Sequence, residues 1–180
     1  MTGFLRILCV SLTALALAGC ESPAVNRTAT TPLATVERVD IDRYLGRWYE
    51  IARYDHSFER GCTGVTATYS KNPDGTIKVV NACRKGTLDG ELDVAEGSAK
   101  PQNAENTKLS VTFFWPFSGD YWIIGLADDY SWALVGEPSG RYLWILSRTP
   151  QIDPTLRADL VAKLETQGYN TNALIWVQQR

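Results

Sequence analysis

The chain has 180 residues, of which 44% are apolar and 21% charged, a balance typical of one folded domain and not of a disordered chain. Its formal net charge is −2, so it lacks the basic surface that binds nucleic acid. It has a single histidine, His56, and no glycine motif for phosphate or dinucleotide binding. We therefore expect no nucleic-acid partner, no cofactor and no metal site.

Residues 1–19 have the pattern of a removable export signal. Arg6 supplies a positive charge, residues 7–18 form a short apolar run, and Gly19 precedes Cys20. Small residues before a cysteine resemble the bacterial lipobox, which implies that Cys20 is acylated and becomes the new N-terminus. The alternative is ordinary signal cleavage with Cys20 as an incidental free thiol. Glu21 follows where aspartate would favour the inner membrane, so the resemblance implies the outer membrane of a Gram-negative bacterium, on its periplasmic face.

The segment after the cysteine differs in composition from the rest of the chain. Residues 21–35 are rich in threonine, alanine and proline, which is typical of a flexible tether. We expect residues 20–35 to form the acylated N-terminus and tether, and residues 36–180 to form one β-barrel domain.

Short segments with alternating or β-branched residues recur along the domain, separated by turn residues such as those at 72–75 and 138–140. Short connections between consecutive strands imply antiparallel neighbours. Eight such strands predict an all-β, up-and-down antiparallel barrel, which is wide enough for one small ligand. The predicted strands are 48–54, 62–70, 76–83, 91–100, 107–114, 120–126, 130–136 and 142–148.

One helix is predicted near the C-terminus. Asp153 is a suitable N-cap, Pro154 suits the first turn, and Gly168 can end the helix. Apolar residues at helical spacing between 156 and 164 predict that it packs on the outside of the barrel. A short last strand is expected over 173–178.

Three motifs in order resemble those of lipocalins. Gly46 and Trp48 match the opening G-x-W, Asp129 and Tyr130 match a later Thr-Asp-Tyr with Asp128 in place of threonine, and Arg148 matches the last motif. Longer strings around these residues are similar to the bacterial outer-membrane lipoprotein lipocalins, over residues 37–180. The resemblance implies an eight-stranded lipocalin barrel with a C-terminal α-helix packed outside.

The same motifs have a physical role in the predicted barrel. Trp48 begins the first strand and Arg148 ends the eighth, so closing the barrel brings the two together. A guanidinium over an indole face contributes about 0.5–2 kcal/mol. We expect this pair to close one end of the barrel; direct contact with a ligand is the alternative.

Two cysteines lie within the domain. Pairing Ser70 with Gly75 across the predicted turn places Cys62 directly opposite Cys83, within disulfide range. The periplasm is oxidising, so we predict a structural disulfide. The alternative is a pair of reduced thiols forming a redox or metal site.

Alternation along three strands indicates which side chains face the barrel interior. Leu109, Val111 and Phe113 share one face. Both faces of residues 142–146 are apolar; in the bacterial lipocalins the tryptophan matching Trp144 faces the cavity, which favours the even-numbered residues as inward. Ile123 is a further inward candidate, with plain barrel core as the alternative for each residue. The predicted ligand-binding residues are Phe113, Tyr121, Tyr142, Trp144 and Leu146.

The resemblance implies fatty acids or lysophospholipids as ligands, and a membrane-anchored protein that carries or stores lipid in the cell envelope. Two alternatives are an enzyme of lipocalin fold acting on a lipid, and a carrier of haem or another pigment. His56 lies in the predicted loop 55–61 over the barrel mouth, where we expect a surface or loop-bracing role. No carboxylate pair stands out on a predicted inward face, so no catalytic residue is assigned. Related bacterial lipocalins can dimerise, which leaves a homodimer open.

Overall fold

Residues 23–180 are described by the structure, a computed structural model. The predicted signal and Cys20 lie outside the described residues. Within residues 23–180 no helix is both long and apolar enough to cross a membrane.

The segment before the barrel is attached to it over most of its length. Asn26 N donates to Gly140 O and Val36 N donates to Ile123 O, at 2.9 and 3.0 Å. Leu33 is buried between these points. The flexible tether expected over residues 20–35 is therefore bound to the domain from Asn26 onward, because its backbone finds hydrogen-bond partners on the barrel.

Eight antiparallel strands form a closed barrel, as the sequence predicts. Strands β2 to β8 pair in chain order, and β1 pairs with both β8 and β2 to close the sheet. The strands are β1 (Gly46–Arg53), β2 (Cys62–Lys71), β3 (Ile77–Lys85), β4 (Leu92–Pro101), β5 (Lys108–Phe114), β6 (Phe117–Leu126), β7 (Trp132–Gly136) and β8 (Leu143–Ser147).

Most strand boundaries differ from the prediction by one or two residues, and the starts of β6 and β7 differ for a clear local reason. β6 starts three residues early, at Phe117, because Phe114 pairs directly with Phe117 across a two-residue turn. β7 starts late because Tyr130 has a φ of +62° and its N–H donates to Ala127 O, within a turn. The Asp129 carboxylate accepts from Ser131 N and holds the same turn.

Two helices flank the barrel. The predicted helix is α2 (Pro154–Thr166), and the Asp153 carboxylate caps it by accepting from the N–H groups of Thr155 and Leu156. A second helix, α1 (Ile41–Tyr44), has a similar cap at Asp40 but is too short to show a helical period in the sequence.

Apolar side chains form two layers on either side of the barrel wall. The inner layer lines the barrel interior and includes Trp48, Ile123 and Leu146. The outer layer joins the wall to α2 and includes Leu134 and Leu160. Alternation along each strand separates the two layers, as the pleat requires.

The C-terminal segment closes a gap in the wall between β1 and β2. These strands pair only from Gly46↔Tyr69 to Tyr49↔Thr66. Beyond that point the short strand β9 (Ile175–Trp176) pairs with β1, and the Gln179 amide donates to both Glu50 O and Val65 O. The expected last strand is thus present in shortened form and bridges strands that have separated.

A disulfide joins Cys62 and Cys83, with their Cα atoms 5.5 Å apart. The predicted pairing is confirmed, but the predicted register is wrong. Cys62 lies opposite Lys85, because the ladder ends at Lys71↔Ile77 and Ser70 pairs with Lys78 instead of Gly75. A bulge between Thr63 and Thr66 moves the register back by one residue. The cysteines are diagonal neighbours instead of direct ones.

Candidate ligand site in the barrel

One end of the barrel is closed by Trp48 and Arg148. The guanidinium carbon lies 3.8 Å from the centroid of the buried indole. The guanidinium also donates to the carbonyl oxygens of Arg43 and Arg47 at 2.8 and 2.9 Å. Because α1 and the start of β1 supply these acceptors, Arg148 fixes the helix against the end of the barrel. Trp48 Nε1 donates to Tyr44 O at 2.8 Å and completes this closed end.

Three tyrosine hydroxyls meet inside the barrel. Tyr121 Oη lies 2.8 Å from Tyr44 Oη and 3.0 Å from Tyr69 Oη. Burial raises the pKa of all three phenols, that of Tyr69 to about 12. The hydroxyls therefore stay protonated at neutral pH, and they offer neutral hydrogen-bonding groups in an otherwise apolar interior.

Several side chains that pack with the inner layer of the barrel are only partly buried. They are Ala67, Val111, Phe113, Tyr121 and Trp144.

The even-numbered residues of β8 face the barrel interior, as we expected from the resemblance to bacterial lipocalins. Trp144 and Leu146 pack with the inner layer. Leu143 and Ile145 are fully buried in the outer layer against α2. Tyr142 precedes β8 and its ring is parallel to that of Trp144, with centroids 5.8 Å apart. All five predicted ligand-binding residues are thus near the interior or its mouth; their contact with a ligand stays a prediction.

An ionic group lies at the open end of the barrel, opposite Arg148. Arg53 Nη1 donates to Glu50 Oε1 at 3.0 Å, and Nη2 donates to the carbonyl oxygen of Glu59 at 2.8 Å. Arg53 Nε lies 3.6 Å from Glu59 Oε2. All three side chains are buried, so the guanidinium and carboxyl groups interact with little screening by water.

Glu50 and Glu59 form a carboxyl pair. Burial raises the pKa of both, and their mutual repulsion raises that of Glu50 further. Arg53 lowers both pKa values, and the Trp144 indole also lowers that of Glu59. Two like charges held together oppose the ionisation of both carboxyl groups, and the pKa of Glu50 is raised the more strongly.

His56 is buried at the mouth, so of the two expected roles the surface role is wrong and the loop-bracing role stays a prediction. Its ring stacks on Phe58 with centroids 3.9 Å apart and lies 5.5 Å from the Trp144 ring. Neither ring nitrogen has a hydrogen-bond partner among residues 23–180, although Nε2 lies 3.4 Å from Glu59 Oε2. Burial lowers the pKa of His56 to about 3, so the imidazole is neutral at physiological pH.

The carboxyl pair was absent from the sequence prediction, which found no such pair on an inward face. Glu50 is two residues from Trp48 and shares its inward face, so strand alternation alone could have predicted that Glu50 faces the interior. Arg53 breaks the alternation because a bulge at Ile51 shifts the register of β1. Glu59 lies in a loop, where periodicity gives no information. No group of three or more potential metal ligands occurs within the described part of the chain.

A closed antiparallel barrel with one sealed end and an apolar interior defines a protein that binds a small hydrophobic ligand. The chain belongs to the lipocalin family, since the family model of a lipocalin-like domain matches residues 39–179. The match spans the barrel, α2 and β9.

Relatives of known name support the same assignment. The chain is 42% identical to the outer membrane lipoprotein Blc of Escherichia coli K12 over 178 residues, which is 97% of each chain. It is 44% identical to the protein of the same name from Citrobacter freundii over 169 residues, or 92% of each. Among solved structures, insecticyanin from Manduca sexta shares the fold with a TM-score of 0.68 at 17% identity, covering 86% of this chain and 88% of that one.

Proposed function

We propose that the protein binds fatty acids or lysophospholipids in its barrel and carries or stores them in the cell envelope. The observation that carries this proposal is the apolar barrel interior with its partly buried lining side chains, sealed at Trp48 and bordered at the mouth by the Glu50–Arg53–Glu59 group. An acyl chain has the shape and polarity of such an interior. Burying about a dozen methylenes contributes on the order of 10 kcal/mol before the costs of association.

The proposed pose puts the acyl chain inside and the polar end at the mouth. Phe113, Trp144 and Leu146 contact the chain, and Tyr142 lies beside the polar end. Arg53 and Glu59 offer charges of both signs there, so a carboxylate or a zwitterionic head group finds a partner. Tyr121, whose hydroxyl is held by two other tyrosines, contacts the far end of the chain.

The proposed location is the periplasmic face of the outer membrane, with acyl groups on Cys20. The relatives named above are outer membrane lipoproteins of Gram-negative bacteria. Mass spectrometry of the purified protein should show the mass of the acyl groups, and Cys20→Ser should move the protein from the membrane fraction to the soluble fraction. A wild-type protein without acyl mass would contradict the anchor.

The ligand itself can be identified from protein isolated from its host. Lipid extraction and mass spectrometry should recover fatty acids or lysophospholipids at close to one per barrel. Trp144→Ala should reduce this amount, and Ile145→Ala, on the outer face of the same strand, should retain it in the folded fraction. A pigment in place of acyl lipid would overturn the proposal.

The Glu50–Glu59 pair supports a second candidate, an enzyme that acts on a bound lipid. Two buried carboxyl groups whose pKa values are both raised can act as acid and base. Incubation with lysophospholipid would then release product, and Glu59→Gln would abolish the release. Haem ligation by His56 has no comparable support, because the imidazole is buried and covered by Phe58.

A further inference from the structure

Three aromatic side chains at the tip of the β5–β6 hairpin are almost entirely exposed. Phe114, Trp115 and Phe117 have 78%, 89% and 76% of their surface accessible. Large apolar side chains grouped in this way on a folded protein mark a surface that another apolar phase covers. Leu92 and Val94, at the adjoining end of β4, are each about half exposed and enlarge the same surface.

The hairpin tip carries no charge that would oppose entry into an apolar phase. No charged residue occurs in 109–119, between Lys108 and Asp120. The tip also leaves few backbone groups unpaired, since Phe114 pairs with Phe117 and Pro116 has no N–H. Burial of the tip therefore removes aromatic surface from water at little polar cost.

The tip lies at the open end of the barrel, and the N-terminal segment joins the barrel at that same end. β1 runs from the closed end at Trp48 towards Arg53, and β5 and β7 run parallel to it in the alternating order. Phe114 at the end of β5 and Gly140 after β7 are thus both at the mouth. Asn26 is held there by Gly140 and by the Tyr54 hydroxyl, which donates to Asn26 O at 3.2 Å.

We propose that the Phe114–Phe117 tip inserts into the interfacial region of a lipid bilayer and holds the barrel mouth against the membrane. Only five residues lie between Cys20 and Asn26, a span of at most about 20 Å. An acyl anchor at Cys20, which this inference takes from the proposed function, thus keeps the mouth near the bilayer. Tryptophan favours the bilayer interface, and phenylalanine adds apolar surface to such an insertion. Ligand then passes between membrane and barrel without crossing open water.

Vesicle flotation tests the tip without the anchor. The full chain with Cys20→Ser, purified free of acyl groups, should float with vesicles of phosphatidylethanolamine and phosphatidylglycerol. Adding Phe114→Ser, Trp115→Ser and Phe117→Ser should lower the partition coefficient more than about 100-fold, at roughly tenfold per ring. Ile175→Ser, which removes an exposed apolar side chain on β9 away from the tip, is the matched control and should float as before. Equal flotation of the tip variant, or no flotation of its parent, would overturn the proposal.

Fluorescence quenching locates the inserted residue. Vesicles of brominated phosphatidylcholine should quench the Cys20→Ser protein, and Trp115→Phe should remove most of this quenching while flotation continues. Unchanged quenching in Trp115→Phe would overturn the proposal. Sedimentation of the triple tip variant gives a second check, since a change from dimer to monomer without a change in vesicle binding would also overturn it. Fatty-acid titration of the same samples keeps the two hypotheses apart, because a protein that floats but binds no fatty acid contradicts the proposed function alone.

Discussion

The guanidinium of Arg148 covers the indole of Trp48 at 3.8 Å and binds carbonyl oxygens of the segment that contains α1. One side chain from the end of β8 thereby fixes the first helix, the first strand and the closed end of the barrel. We predict that this contact serves stability, with direct ligand contact as the alternative.

Arg148→Ala should lower the free energy of unfolding by about 2–4 kcal/mol, because it removes a cation–π contact and several charge-assisted hydrogen bonds. Affinity of the remaining folded protein for a fatty acid should stay within about twofold. Arg157→Ala is a matched control, since Arg157 lies 3.4 Å from the Trp176 ring on the outside of the barrel and should cost less than about 1 kcal/mol. Thermal and chemical unfolding measure both variants. Loss of binding without loss of stability would assign Arg148 to the ligand.

The Cys62–Cys83 disulfide predicts that alkylation without reductant leaves both residues unmodified in the intact mass spectrum. Breaking it should destabilise the protein by about 2–4 kcal/mol, because the unfolded chain gains conformational freedom. Denaturant unfolding with and without reductant gives the difference, with Cys62→Ser/Cys83→Ser as the second sample. Two alkylated cysteines in the native protein would show that the thiols are free.

The carboxyl pair predicts that the free energy of unfolding depends on pH. Glu50→Gln should remove the part of this dependence that Glu50 causes. Burial raises the pKa of Glu50, so below its unfolded value of about 4.3 the group is protonated in both states, and its contribution to stability is fully present. As pH rises, the unfolded chain ionises first and this contribution is lost. The free energy of unfolding of Glu50→Gln, minus that of wild type, should therefore rise between pH 4 and 8.

Asp55→Asn is the control for this series. Hydrogen bonding to Arg60 lowers the pKa of the exposed Asp55, so its contribution is lost only at acid pH. The free energy of unfolding of Asp55→Asn, minus that of wild type, should stay constant from pH 5 to 8. A flat profile for Glu50→Gln as well would show that Glu50 ionises as an ordinary carboxylate.

His56 predicts the opposite slope. Burial lowers its pKa from the ordinary value of about 6.5 to about 3, so the unfolded chain takes up a proton first as pH falls. His56→Phe keeps the ring stacked on Phe58 and removes this proton uptake. The variant should gain stability relative to wild type as pH falls from 7 to 4, measured by urea unfolding at each pH. If the difference in free energy of unfolding between His56→Phe and wild type does not change with pH, His56 is accessible to water and has an ordinary pKa.

Alternation and turn chemistry predict the barrel from the sequence because they act locally. They give the number of strands and the α2 cap at Asp153, whereas the inward face of Trp144 was chosen from the resemblance to bacterial lipocalins. A longer turn between β2 and β3 than predicted displaced the register of Cys62, and the bulge in β1 broke the alternation, so Arg53 was not assigned to the interior. Glu59 and His56 enter the site through a loop, whose path depends on tertiary contacts that no local pattern encodes.

Titration with a fluorescent fatty acid tests the central claim, that the barrel interior holds an acyl chain. Trp144 and Ile145 are neighbours in β8 with opposite orientations, so their alanine variants separate the interior from the outer wall. Wild type should bind at one site per chain, Trp144→Ala should weaken binding at least about tenfold, and Ile145→Ala should lose about 2–5 kcal/mol of stability while its folded fraction keeps its affinity. No saturable binding by wild type, or equal affinity in the Trp144 variant, would contradict the claim.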